Sequence, residues 1–150
     1  MKLPYYKLNA DSTLHLFEFT SIGPKGKIEK IILFEKSISN DVYNLAFGDR
    51  NNKTGEIDDE IVSNNGDSLK ILRTVVEAIT IFTNKYPTKW IYAEGSTKSR
   101  TRLYRMGISN NLNESRKYFI ILGNIEGQWE YFQPNKEYIS FAILKKLLNN

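Results

Sequence analysis

The sequence predicts an α+β fold: a single domain, residues 1–150, with a largely antiparallel sheet and two helices packed on it. Three observations lead there. Three β-patterned segments joined by short turns occupy residues 14–48. A long, strongly apolar helical run follows at 68–85, and two further β-patterned segments meet at the turn Asn124-Ile125-Glu126-Gly127. The expected order is β-β-β-α-β-α-β-β. Residues 137–148 are left between strand and helix, and we read them as strand.

Leu14 to Ser21 has the aromatic, alternating character of a strand, and Gly23-Pro24-Lys25-Gly26 turns the chain. Lys27 to Ile38 mixes alternation with a continuous apolar run, and Val42–Gly48 places Tyr43, Leu45 and Phe47 on one face. Short turns between the three predict an antiparallel meander. Residues 49–68 change character, with six acidic residues against two basic. Asp58-Asp59-Glu60 lacks the alternating ligands and central glycine of a calcium loop, so it reads as a solvated acidic loop. Asn65-Gly66 is a turn, with Asp67 or Ser68 as N-cap.

Ser68 to Lys85 is the clearest helix. Its apolar residues leave little room for a polar face, which predicts extensive burial. Arg73 and Glu77, four apart, should pair. Tyr86-Pro87-Thr88 ends it, and Lys89–Glu94 is the next strand. A basic helix runs from about Thr97 to Ser109, with Ser96 expected as its N-cap and Leu103 and Met106 as its core side. Asn110–Ser115 reads as a polar loop, Arg116–Gly123 as a strand and Gln128–Gln133 as its return.

Composition removes several functions. Apolar content of 41% and charged content of 25% are ordinary globular values. Cysteine is absent and there is one histidine, which excludes Cys-His dyads and zinc sites needing two such ligands. His15, early in a strand, reads as structural. No Walker loop, dinucleotide glycine fingerprint or Gly-x-Ser-x-Gly elbow occurs. We expect no metal, no cofactor and no catalytic residue, and lean away from an enzyme. No apolar run reaches membrane length and Met1–Lys7 has no apolar leader core, so we expect a cytoplasmic protein away from membranes.

The net charge of +4 is local. From Gly95 to Asn113 stand Lys98, Arg100, Arg102 and Arg105 with no acidic residue. Removing these four of 21 basic residues leaves 17 against 17 acidic ones. The excess therefore forms a patch. Strand, Gly-Ser-Thr turn and helix start expose unpaired amides at the positive end of a dipole, an arrangement suited to anions. At about 100° per residue, Lys98, Arg102, Arg105 and Ser109 share one helix face, with Arg100 opposite. Arginines in a first turn face the positive dipole end, and a bound anion would relieve that cost; the competing reading is that they pair with acidic side chains of the 56–60 loop or lie solvated.

The expected ligand site is therefore Gly95, Ser96, Thr97, Lys98, Arg100, Arg102, Tyr104 and Arg105, with Tyr104 as a stacking face. Its ligand is a phosphate-bearing molecule or nucleic acid. Trp129 and Tyr131 are further candidates for exposed stacking. The alternative is a non-enzymatic protein-interaction module using the 49–68 loop or a sheet edge. Oligomeric state stays open.

The run Glu94-Gly95-Ser96-Thr97-Lys98-Ser99-Arg100-Thr101-Arg102-Leu103-Tyr104-Arg105 resembles the signature of a family of small bacterial proteins of unknown function. The Asn64-Asn65-Gly66-Asp67 approach to the buried helix is similar to that family too. The resemblance places the motif and implies no mechanism. The element order also resembles the ribonuclease H-like arrangement, which would imply carboxylates around two metal ions at Glu18, Glu77 and Glu94. That family's first-strand carboxylate is an aspartate, and none stands here, so this nuclease reading ranks third.

Overall fold

The computed structural model describes residues 4–58 and 63–147. Nine strands form one sheet: β1 (Asn9–Ala10), β2 (Leu16–Gly23), β3 (Gly26–Lys36), β4 (Val42–Arg50), β5 (Ile57–Asp58), β6 (Trp90–Ala93), β7 (Phe119–Ile125), β8 (Gln128–Tyr131) and β9 (Ser140–Lys145). The helices are α1 (Ser68–Lys85), α2 (Lys98–Asn110) and α3 (Leu112–Ser115). Strand order is β1-β2-β3-β4-β6-β9-β7-β8, with β5 also paired to β4. The predicted α+β class and the order of its main elements hold, and 137–148 contributes the strand β9.

Sequence chemistry explains the connections. Gly23 pairs with Gly26 across a two-residue link, and Gly26 adopts φ +89°, which a side chain would resist. At the β7–β8 hairpin, Glu126 and Gly127 both have positive φ, 51° and 83°, the twist that keeps flanking strands paired. Among the described residues all strand pairings are antiparallel except β4 with β6. That parallel pair needs a long crossover, and α1 lies within it.

Both long helices cover the sheet face bearing Leu45, Ala93, Ile121 and Ile143. In α1 the residues Ile71, Leu72, Val75, Ala78, Ile79 and Phe82 recur every three or four positions and are buried. Phe82 stacks on Phe34 at 4.3 Å. The helix is less enclosed than its composition predicts, because Leu69 is 52% exposed and a stripe from Arg73 to Asn84 stays on the open side. Arg73 and Glu77 do pair, at 3.0 Å. Asp67 is the N-cap position of α1, yet its side chain does not cap. Its Oδ2 instead accepts from the Tyr6 and Ser21 hydroxyls, each at 2.5 Å.

The polar segment 110–115 is not a loop. It ends α2 and forms α3, because Leu112 inserts into the core at 5% exposure and fixes the turn around it. The acidic segment likewise contributes the short strand β5 on β4. Asp59 and Glu60 of that segment lie outside the described residues. Among the described residues no helix is long and apolar enough to cross a membrane.

Candidate functional site

Strand β6 runs parallel to β4 with Ala93 opposite Leu45, and the chain then leaves the sheet through residues 94–97 into α2. The C-terminal end of a parallel strand pair is where open sheets commonly form a binding crevice, since the following loops diverge. Gly95 permits the sharp exit. A Cβ there would lie 2.2 Å from the Thr101 nitrogen and 2.4 Å from its hydroxyl. The N-cap is Thr97, not Ser96: its backbone is extended and its side-chain hydroxyl accepts from the Arg100 amide at 3.1 Å. Among the described residues the amides of Lys98 and Ser99 have no acceptor, as expected for a first helical turn.

The structure divides the sequence-predicted site residues into two sets. Arg100 and Tyr104 are buried, at 4% and 7% exposure. Arg100 Nη1 donates to the Phe47 carbonyl at 2.6 Å, and its guanidinium lies 4.8 Å from the Phe47 ring. It ties the start of α2 to β4. Tyr104 lines an apolar void of about 60 Å³ between α1, α2 and the sheet, so its ring offers no open stacking face. The core side of α2 is Arg100, Tyr104 and Gly107, not Leu103 and Met106. Met106 is 41% exposed, and Leu103 only packs at the core's margin.

Lys98, Arg102 and Arg105 make the second set. Lys98 and Arg102 are exposed and Arg105 is half-buried, all on the side of α2 away from the core. No carboxylate among the described residues pairs with any of the three. They span eight residues, Lys98 to Arg105, roughly 10 Å of helix axis, and Ser109 follows about one turn beyond.

Beneath the turn is a charged network that sequence reasoning missed. Lys30 is 4% exposed and its ammonium is ion-paired with Asp49. It also donates to the Ser63 hydroxyl at 2.9 Å, and Ser63 in turn donates to Asp49 at 2.6 Å. Lys30 lies 6.0 Å from the Phe47 ring, which therefore has two buried cations within about 6 Å of its centroid. The signal was present: Lys30 falls in phase with the inward Ile32 and Phe34, directly opposite Asp49 in the β3–β4 register.

The three carboxylates of the nuclease reading do not converge. Glu18 alternates with the buried Phe17 and Phe19, so it lies on the opposite sheet face from the helices and approaches Arg50 at 3.5 Å. Glu77 pairs with Arg73 on α1. Glu94 accepts from the Tyr92 hydroxyl at 3.2 Å, and burial, reinforced by that carboxylate's charge, raises the Tyr92 phenol above its usual value. Among the described residues no three His, Cys, Asp or Glu side chains are placed to hold a metal ion. His15, expected to be structural, nests among Tyr43, Phe82 and Tyr86 at 5.2–5.6 Å, with Nδ1 2.9 Å from the Thr13 carbonyl.

Comparison with known proteins adds a family and nothing finer. A family model described as a family of unknown function (DUF6934) matches residues 2–146. No curated protein matches the chain, and no solved structure does. The chain belongs to that family of unknown function.

Proposed function

Starting from that membership, we propose that the protein is a cytoplasmic bacterial binding domain whose ligand carries phosphate groups, either a small phosphorylated molecule or a nucleic-acid backbone. One observation carries the reading. Lys98, Arg102 and Arg105 share the open side of α2, beside acceptor-free amides, with no carboxylate among the described residues neutralising them. Three cations held in one row attract an anion more strongly than scattered surface lysines, and arginine adds bidentate geometry. Gly95, Thr97 and Arg100 then act indirectly: they set the turn, cap the helix and anchor it. Tyr104 supports the helix from below.

Fluorescence anisotropy with a labelled single-stranded oligonucleotide, alongside calorimetry with inorganic phosphate, tests this. Replacing Arg102 and Arg105 together by alanine should weaken binding at least about tenfold. A backbone ligand neutralised by three cations should show a log–log salt slope of about −2, whereas a single phosphate should respond gently. Unchanged binding by the double variant, or no binding of either probe, refutes the reading.

A protein-interaction module is the second reading, favoured by the edge strand β8, where Trp129 and Tyr131 are 43% and 72% exposed. Unpaired edge strands accept further strands, and exposed aromatics anchor partners. Capture of one partner that is lost with Trp129→Ala and Tyr131→Ala, yet indifferent to Arg102→Ala, would favour it over the anion site.

A further inference from the structure

A second concavity lies beyond the C-terminal end of the basic row, where Ser109 and Asn110 of α2 help to line it. A cleft of about 820 Å³ opens between the outer stripe of α1 and the α2–α3 segment, with Tyr118 and Lys145 at its side. That volume falls within the roughly 300–1,000 Å³ of ordinary small-molecule sites.

Its chemistry differs from that of the basic helix face. The four charged side chains lining it, Arg73, Glu77, Glu114 and Lys145, cancel in charge, and each already has a partner. Arg73 is held twice over, by Glu77 at 3.0 Å and against the Tyr5 ring at 4.9 Å. Both members of the Arg73–Glu77 pair are mostly buried, at 15% and 23% side-chain exposure. A neutralised, fixed pair of this kind presents donors and acceptors in a rigid plane while offering a charged ligand no counterion.

The remaining lining sets hydrogen-bonding groups among the apolar side chains of Val76, Leu112, Phe119 and Pro134. Lys145 donates to Asn84 Oδ1 at 2.6 Å, which fixes that amide and leaves its NH2 to donate. Asn111 Nδ2 donates to the Gly107 carbonyl at 2.9 Å, leaving its own carbonyl oxygen without a partner among the described residues. Thr80 donates to the Val76 carbonyl at 2.9 Å and keeps its lone pairs. Tyr118, 49% exposed, supplies a flat ring at the side of the cleft. An apolar ligand would strand these polar groups, which carries a desolvation penalty. A phosphate would find one cation in the cleft with no carboxylate partner among the described residues, Lys145, and its ammonium is held on the Asn84 amide.

We propose that this cleft binds an uncharged sugar ring, as a free saccharide or as a nucleoside, with hydroxyls on the Arg73–Glu77 pair and the asparagine amides and one ring face on Tyr118. The site is separate from the anion row on α2, so either can fail without the other.

Saturation-transfer NMR and calorimetry with adenosine, uridine, maltose and cellobiose test it, with glucose 6-phosphate as the charged control. At least one uncharged compound should bind with a Kd of about 1 mM or tighter. Glu77→Gln and Tyr118→Ala should each weaken that binding at least about tenfold, while the Arg102→Ala, Arg105→Ala double variant leaves it within about twofold. Binding of nucleosides alone or disaccharides alone identifies the source, and binding of both supports the ring class. Amide NMR spectra establish that each variant is folded, and Asn113→Ala, at an exposed asparagine that also lines the cleft, replaces Glu77→Gln if the latter is not. Absence of binding by all four compounds overturns the proposal. So does binding that ignores the cleft variants, or that disappears with the α2 arginines.

Discussion

Replacing Lys30 by methionine removes the cation from the buried network under the candidate site. The Lys30 and Asp49 side chains are 4% and 11% exposed, so the substitution would leave the Asp49 carboxyl without its counterion and with little water around it. Breaking a buried pair by deleting one partner costs about 3–5 kcal/mol. Ser63 still donates to Asp49 at 2.6 Å, which points to the lower half of that range, about 3–4 kcal/mol. At about 2–4 °C per kcal/mol for a domain of this size, melting should fall by roughly 6–16 °C. Replacing both charges, Lys30→Met with Asp49→Leu, removes the orphan and adds apolar contact beside Phe47. The double variant should lie within about 1 kcal/mol of the parent. Urea unfolding followed by far-UV circular dichroism, with unchanged m-values, measures all corners of this cycle. A single variant costing under about 1 kcal/mol, or a double variant as unstable as the single, would show that the pair is not the buried charge network described.

Two glycines should respond very differently to alanine. Gly95→Ala drives a methyl to 2.2 Å from a backbone nitrogen and should destabilise by about 2 kcal/mol or more, with loss of anion binding in the same titration. Gly107→Ala meets Leu72 Cδ2 at 2.8 Å, a side-chain end bordering the void of about 60 Å³. Yielding there, plus the helix preference of alanine, should keep it within about 1 kcal/mol of the parent by denaturant midpoint. Lys136, then Tyr138, holds the Glu130 carboxyl below the usual glutamate range by hydrogen bonding. A carboxyl lowered on folding lends its stabilisation above the unfolded value, and the effect vanishes as pH falls through the folded one. A carboxyl-detected NMR titration should show Glu130 protonating at higher pH in Lys136→Ala; identical curves would contradict the assignment.

Much of the fold was legible because its signals are local. The β2–β4 meander, α1 and the Glu126-Gly127 hairpin each follow from periodicity and turn chemistry within one segment. The candidate site was legible only in part. Hydropathy assigns every arginine to solvent, yet Arg100 faces inward because a carbonyl and the Phe47 ring await it, and both belong to a strand over fifty residues earlier. That reversal turned α2 about its axis, carrying Tyr104 inside and Met106 outside. The helix α3 was missed because a single buried leucine carries no periodicity. The cleft beside α1 was invisible since its walls come from separated segments, although Arg73 and Glu77 were individually readable as a pair.

The parallel pairing of β4 with β6 bears on how the chain acquires its structure. One half of the sheet, β1 to β5, is built from neighbours in sequence, and β7 to β9 are likewise close along the chain. The join rests on β6, four residues long, whose partners are distant: Val42 meets Trp90, and Ala93 meets Phe141. Closing loops of that length is slow relative to forming hairpins. The two halves are therefore expected to gain protection from hydrogen exchange first, with β6 amides last, and α1 to dock as the seam closes. A folding intermediate of this kind would leave Ile91 and Ala93 unprotected while the meander already holds its hydrogen bonds.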